Sequence, residues 1–105
     1  MSTPAYLVVE SSISDPEAFK AYVAAAPAVA KAFGAEYLAR GGRSLVLEGD
    51  WKPPRLTVLR FPSFEAAQAM YDSPGYTAAR ALRAGATAMF NMVVVEGVEG
   101  VEAKL

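Results

Sequence analysis

The chain has no histidine and no cysteine among its 105 residues. Without a thiolate or an imidazole it cannot build zinc-finger, iron–sulfur, Cys-ligated or His-ligated haem sites. Ser-His-Asp and Cys-His catalysis are excluded for the same reason. No metal and no bound cofactor is therefore expected. An excess of positive charge is also missing. Ten basic and 11 acidic residues leave a net charge of −1, with no basic block to face a nucleic acid. No apolar run reaches the roughly 18 residues needed to span a membrane. The start, Met1-Ser2-Thr3-Pro4, lacks a basic n-region, and its apolar run stops at Glu10. It does not read as a secretory signal, and a soluble cytoplasmic protein is the expectation. The missing cysteines are neutral on compartment.

What is present suits one domain over residues 1–105, with a core of about 5–98 and an uncommitted tail at 99–105. Hydrophobic residues make up 53% of the chain, and 21 positions are alanine. Tyr6 to Glu10 reads as a strand. Asp15-Pro16-Glu17 reads as a helix start, with Asp15 as cap and Pro16 in the first turn. Phe19, Tyr22, Val23, Ala26, Val29, Ala30 and Phe33 then form one helical stripe. Pro27 is expected to kink or split that helix, and Gly34 to end it. Glu36–Arg40 and Ser44–Glu48 read as a hairpin about Gly41-Gly42. Asp50 to Pro54 is a loop, and Leu56–Phe61 a further strand. Ser63 caps a helix to about Asp72, and Ser73-Pro74 opens another from Gly75 to about Ala86. Met89–Glu96 is the last strand, and Val93-Val94-Val95 has the character of a central strand covered on both faces.

Merged, these pieces give an α+β fold, a ferredoxin-like βαββαβ sandwich with an antiparallel sheet. Alternation puts Leu7 and Val9 on one face and Tyr6 and Val8 on the other, and sets Thr57, Leu59 and Phe61 against Leu56 and Val58. Both faces are mainly apolar, whereas a sheet with helices on one side only should carry a polar outer face. A second copy of the chain is the simplest cover, so a homodimer is expected.

Five segments in order carry a resemblance: 36–42 (EYLARGG), 47–51 (LEGDW), 61–65 (FPSFE), 71–76 (YDSPGY) and 95–97 (VEG). Across roughly residues 5–98 the chain resembles a small bacterial family, domain of unknown function 1330, in the dimeric α+β barrel superfamily. The resemblance implies a ferredoxin-like subunit that pairs with another to enclose a barrel. It implies no settled activity. Its relatives include cofactor-free monooxygenases, lactone isomerases, haem-dependent enzymes and stress proteins. Gly75 departs from the pattern, where glutamate is expected.

Candidate site residues come from the polar side chains in and beside the strands. Arg60 shares a face with Leu56 and Val58, and Asn91 shares one with Val93 and Val95. Arg60 is read as half of an ion pair with Glu10 or Glu48, as simply exposed at the strand end, or as the anion clamp of a pocket in which Glu48 or Glu10 moves a proton. Arg40 is a second candidate clamp. The Arg40-Gly41-Gly42-Arg43 run is read as a turn rather than an anion nest. Trp51 is read as a lid, a dimer contact or a loop residue folded on its own subunit. Ser63 and Ser73 lack an activating base and are read as helix caps. Tyr71, Tyr76 and Arg80 are read either as a pocket lining or as core tyrosines beside a solvated or Asp72-paired arginine. The candidate catalytic residues are thus Glu48, Arg60 and Tyr76. The candidate ligand-binding residues are Arg40, Trp51, Tyr71, Arg80 and Asn91. The expected protein is a small homodimer, a cofactor-independent enzyme acting on a small anionic, partly apolar molecule. The alternative is a non-catalytic module that binds a metabolite or another protein.

Overall fold

The computed structural model describes residues 3–98; the tail at 99–105 lies outside them. The elements are β1 (Ala5–Ile13), α1 (Pro16–Ala32), β2 (Glu36–Arg40), β3 (Leu56–Phe61), α2 (Phe64–Asp72), α3 (Pro74–Ala81) and β4 (Thr87–Glu96). The four strands form one antiparallel sheet in the order β2-β3-β1-β4. This is the expected α+β, ferredoxin-like arrangement.

The helices begin where side-chain caps supply the missing acceptors for their first N–H groups. Asp15 accepts from the Ala18 N–H, Ser63 from the Ala66 N–H and Ser73 from the Tyr76 N–H. Pro16 and Pro74 occupy first-turn positions, where no N–H is needed. Gly34 follows the end of α1 at φ 83°, in the left-handed region that glycine enters without a Cβ penalty. Gly75 answers to no such demand: a Cβ there meets Val29 Cγ1 at 3.6 Å, an ordinary contact.

The core lies between the helices and one face of the sheet. Leu7 and Val9 of β1 and Leu59 and Phe61 of β3 point into it, against Ala30, Ala67, Met70, Tyr76 and Ala79. The small residues on the helices let them lie close to the strands. Tyr6, Val8, Leu56 and Val58 point to the opposite face.

Four expectations need correction. First, Ser44–Glu48 is not a strand, and Gly41-Gly42 is not a two-residue turn. Glu36–Arg40 pairs instead with Leu56–Phe61, so residues 42–55 form an arm between the two strands. Gly41 is left-handed at φ 69°, its N–H donates to the Leu56 carbonyl, and the Arg55 guanidinium lies against it where a Cβ would stand.

Second, of the two outcomes expected at Pro27, a kink or a split, the split does not occur, and α1 runs unbroken from Pro16 to Ala32. A proline leaves the carbonyl four residues earlier without its helical partner. That carbonyl belongs to Val23, and Arg40 Nη2 donates to it at 2.9 Å. The side chain of β2 thus repairs the gap that Pro27 opens.

Third, the last strand lies at the edge of the sheet rather than its centre, and Val93 and Val95 are exposed. Fourth, α3 ends at Ala81 rather than near Ala86, and turns carry the chain to β4.

Candidate functional site

Two spaces open on the helix side of the sheet. A small cavity of about 40 Å³ lies under α1, walled by Phe19 and Tyr22 and by Tyr37, Arg40, Arg55 and Thr57. At roughly 10–15 Å³ per water it accommodates about three. A larger open cleft of about 500 Å³ lies between α2 and β4. Leu7, Met70, Phe90 and Met92 belong to both walls. Residues Tyr37 and Arg40 both reach the inner cavity although they are three apart in a strand. A register shift between Tyr37 and Ala39 inserts one extra residue and returns Arg40 to the inner face.

Between the two spaces stands a pair of tyrosines. The hydroxyls of Tyr22 and Tyr76 are 2.8 Å apart, and the Tyr76 hydroxyl also donates to Met92 Sδ at 3.5 Å. Their rings meet edge-on, and Tyr22 meets Phe90 in the same way. Burial, first, and the hydrogen bond with Tyr76 push the Tyr22 phenol well above the usual tyrosine value, while Arg83 pulls it back. Burial likewise raises Tyr37, and the Arg40 guanidinium beside it opposes that rise. Both phenols stay protonated near neutrality. Tyr37 can donate a hydrogen bond to a ligand oxygen, whereas the Tyr22 proton is committed to the Tyr76 hydroxyl, whose own is committed to Met92; neither raised phenol acts as a base there.

Arg83 joins the cleft to this pair. Its guanidinium carbon sits 3.6 Å from the Phe90 ring centroid and 5.4 Å from that of Tyr22, a cation–π arrangement. Its Nε is buried with no hydrogen-bond partner. No carboxylate of the described residues forms a salt bridge with it. Phe64, Ala67, Met70, Met92 and Val94 give the cleft an apolar floor, and Gln68, Tyr71 and Asp72 supply its other polar groups.

The structure divides the sequence candidates between the two faces of the sheet. Tyr76 is buried on the helix side, and Tyr71 lies at the cleft mouth. Arg40 lines the inner cavity while holding the Val23 carbonyl and stacking 4.8 Å from the Tyr37 ring centroid. Arg80 is exposed and donates to the Tyr71 hydroxyl rather than pairing with Asp72. On the opposite face, Arg60 pairs with Glu36 at 3.6 Å, neither with Glu10 nor with Glu48. Glu10 instead accepts from Trp51 Nε1 at 3.0 Å and from Asn91 Nδ2 at 3.2 Å. Trp51 is thereby folded onto its own subunit, with its ring more than half exposed. Glu48 is exposed on the arm. The structure therefore does not bring Glu48, Arg60 and Tyr76 together.

Several polar residues of the two spaces were not among the sequence candidates, Arg83 in the cleft and Arg55, Tyr22, Tyr37 and Thr57 around the inner cavity. Arg83 follows the last turn of α3, two positions before the left-handed Gly85, and nothing in the local pattern sets it apart from a solvated arginine. Arg55 directly follows a loop pair of prolines. Tyr22 fits the apolar stripe of α1, which conceals its hydroxyl. Among the described residues no group of three or more His, Cys, Asp or Glu side chains could hold a metal ion. No helix of the described residues is long and apolar enough to cross a membrane.

Residues 4–98 match the family described as Domain of unknown function (DUF1330). This chain belongs to the DUF1330 family. No curated protein matches its sequence. Solved structures do resemble it. A protein of unknown function from Rhodopseudomonas palustris is 20% identical with a TM-score of 0.70, covering 92% of this chain and 84% of its own. A dimeric ferredoxin-like protein of unknown function from Thermobifida fusca is 16% identical with a TM-score of 0.62, over 92% and 93%. SnoaB, a cofactor-independent oxygenase from Streptomyces nogalater, is 11% identical with a TM-score of 0.62, over 91% and 94%. At these identities the likeness establishes the ferredoxin-like fold of this DUF1330 chain and nothing about its chemistry.

Proposed function

We propose that the protein is a homodimer whose helix-side cleft takes up a small, partly apolar anion and acts on it without a metal or a bound cofactor. The observation that carries the ligand class is Arg83. A guanidinium at the wall of an apolar cleft, stacked on Phe90 and without a carboxylate partner, gains most from an anion that brings two oxygens to its planar edge. The apolar floor selects a ring or short chain behind that anionic group. Gln68 and Tyr71 add polar groups to the cleft and Asp72 is its carboxylate, while Tyr22 and Tyr76 stand on the wall of the neighbouring inner cavity. The dimer rests on the exposed apolar face of the sheet, and it is supported by dimeric ferredoxin-like neighbours such as the Thermobifida fusca protein. The cytoplasm remains the proposed location, and neither nucleic acid nor membrane is a proposed partner.

The test uses benzoate and phenylacetate against the neutral benzamide. The carboxylates are expected to raise the melting temperature and the amide to leave it unchanged. Arg83→Met should weaken carboxylate binding by about tenfold or more, equal to 1.4 kcal/mol. Equal stabilisation by benzoate and benzamide, or unaltered benzoate affinity in the folded variant, overturns the anion site. If binding survives these controls but no turnover of bound carboxylates is found, the non-catalytic metabolite-binding alternative holds.

A further inference from the structure

Two segments of the chain carry strand character that the single subunit does not use. The first is Ser44-Leu45-Val46-Leu47-Glu48 in the arm. Its sequence has the composition of a short strand, yet it pairs with no other strand. Leu45 is 81% exposed and Leu47 88%. The second is the outer edge of β4. Its residues 89–96 (MFNMVVVE) contain no proline, lysine or arginine, and their pairing with β1 is free of bulges. Edge strands ordinarily carry such features to block further pairing. Among the described residues no strand covers this long edge, and Val93 and Val95 are 63% and 53% exposed beside it. The sequence of β4 is that of a central strand, which the single chain leaves at the rim.

The arm is held at both ends rather than loose. Gly41 N–H donates to the Leu56 carbonyl, Ser11 N–H donates to the Arg55 carbonyl, and Trp51 is tied to Glu10 on the outer face. Its apolar middle is thus presented on the side where Leu56 lines a groove with it. The arm leaves the sheet at β2 and β3, at the opposite side from the free edge of β4. In a two-fold dimer any contact of one arm with the partner's β4 edge is made twice, once by each copy. The apolar area also matches. Leu38, Leu45, Val46, Leu47, Trp51, Val93 and Val95 are all substantially exposed. At roughly 100 Å² each, they supply most of the about 800 Å² per partner of a standard interface.

We propose that residues 44–48 become a strand only when two chains associate, by adding to the free edge of β4 in the second copy. Backbone hydrogen bonds then supply the pairing, and the leucines meet the valine face. This rests on the homodimer reading and specifies how the dimer is built. Association and arm folding become one event, so the arm is ordered as a strand only in the dimer.

The experiment combines sedimentation equilibrium with amide hydrogen exchange across a dilution series of the full chain. Residues 44–48 should exchange at least about tenfold more slowly in the dimer than in the dilute monomer. Val46→Pro removes one pairing N–H in a segment the single chain leaves unpaired, so the monomer should keep its circular dichroism. The variant should dimerise about tenfold more weakly or worse. Leu45→Ser with Leu47→Ser should do the same without touching the backbone. Fast exchange at 44–48 in a stable dimer, with Val46→Pro at wild-type affinity, overturns the strand pairing and leaves the dimer reading standing. A wild-type chain that stays monomeric throughout the series overturns both.

Discussion

The two faces of the sheet follow different rules. On the helix side each large side chain has a place: Leu7, Val9, Leu59 and Phe61 interlock with the alanines, Met70 and Tyr76 of the helices. Arginines and phenols gather there, with Arg40, Arg55, Tyr22 and Tyr37 around the inner cavity and Arg83 in the cleft. On the open side Val93 and Val95 are exposed and Tyr6, Val8, Leu56 and Val58 are half-buried, and the polar residues satisfy one another, as in Arg60 with Glu36 and Glu10 with Trp51 and Asn91. A protein of net charge −1 thus sets guanidinium groups where a ligand would enter, while Arg60 on its outer face is tied to a carboxylate. Average composition conceals this separation, and the fold produces it by strand alternation.

The largest expected contrast is in packing. Phe61→Ala removes a fully buried ring and should cost about 3–5 kcal/mol in denaturant unfolding. Val58→Ala, one strand parity away on the open face, should cost less than about 1 kcal/mol at protein concentrations where the chain is monomeric. Equal losses would erase the distinction between the faces.

Smaller, and more specific, is the difference between two arginines. Arg40→Met removes the protein donor to the Val23 carbonyl that Pro27 left without a helical partner, and should cost about 0.5–1.5 kcal/mol. In a Pro27→Ala background the helix supplies its own donor, so the loss should shrink toward zero. Arg60→Met breaks a partly exposed ion pair and should stay within about 0.5 kcal/mol. A full Arg40 effect in the Pro27→Ala background would refute the repair.

Smallest at neutral pH is the contrast in titration. The Tyr22 phenol is raised above its ordinary value of 10.0 by burial and by Tyr76. Its stabilising contribution is therefore complete below about pH 10, where the unfolded chain is also neutral. It is lost as the pH climbs beyond that, because the unfolded state releases its proton first. Tyr22→Phe should flatten this alkaline loss. An unchanged slope of stability between pH 9 and about 11 would assign the loss to other groups.

Much of the fold was legible because its signals are local. Asp15-Pro16, Ser63 and Ser73-Pro74 mark helix starts through bonds that span three residues, and the alternation in β1 and β3 gave the correct faces. The hairpin failed because Gly41-Gly42 is a local turn signal, while the partner of β2 is chosen by long-range pairing with β3. The sequence left a kink or a split open at Pro27, and the donor that accompanies the unsplit helix comes from Arg40, 17 residues from Val23. The site was harder still. Arg83 acquires its meaning from Phe90 and Tyr22, which only the folded chain brings beside it. Glu48 and Arg60 shared a plausible chemistry but not a location.

The bond from Trp51 to Glu10 has one more consequence. Trp51 is the chain's single tryptophan, and its half-open indole sits where the arm meets the outer face. Its emission is therefore free of competing indoles and originates at one known place. Burial of that ring shifts the spectrum to the blue, and release to solvent shifts it to the red. The molecule carries its own fluorescent label for whatever covers its open face.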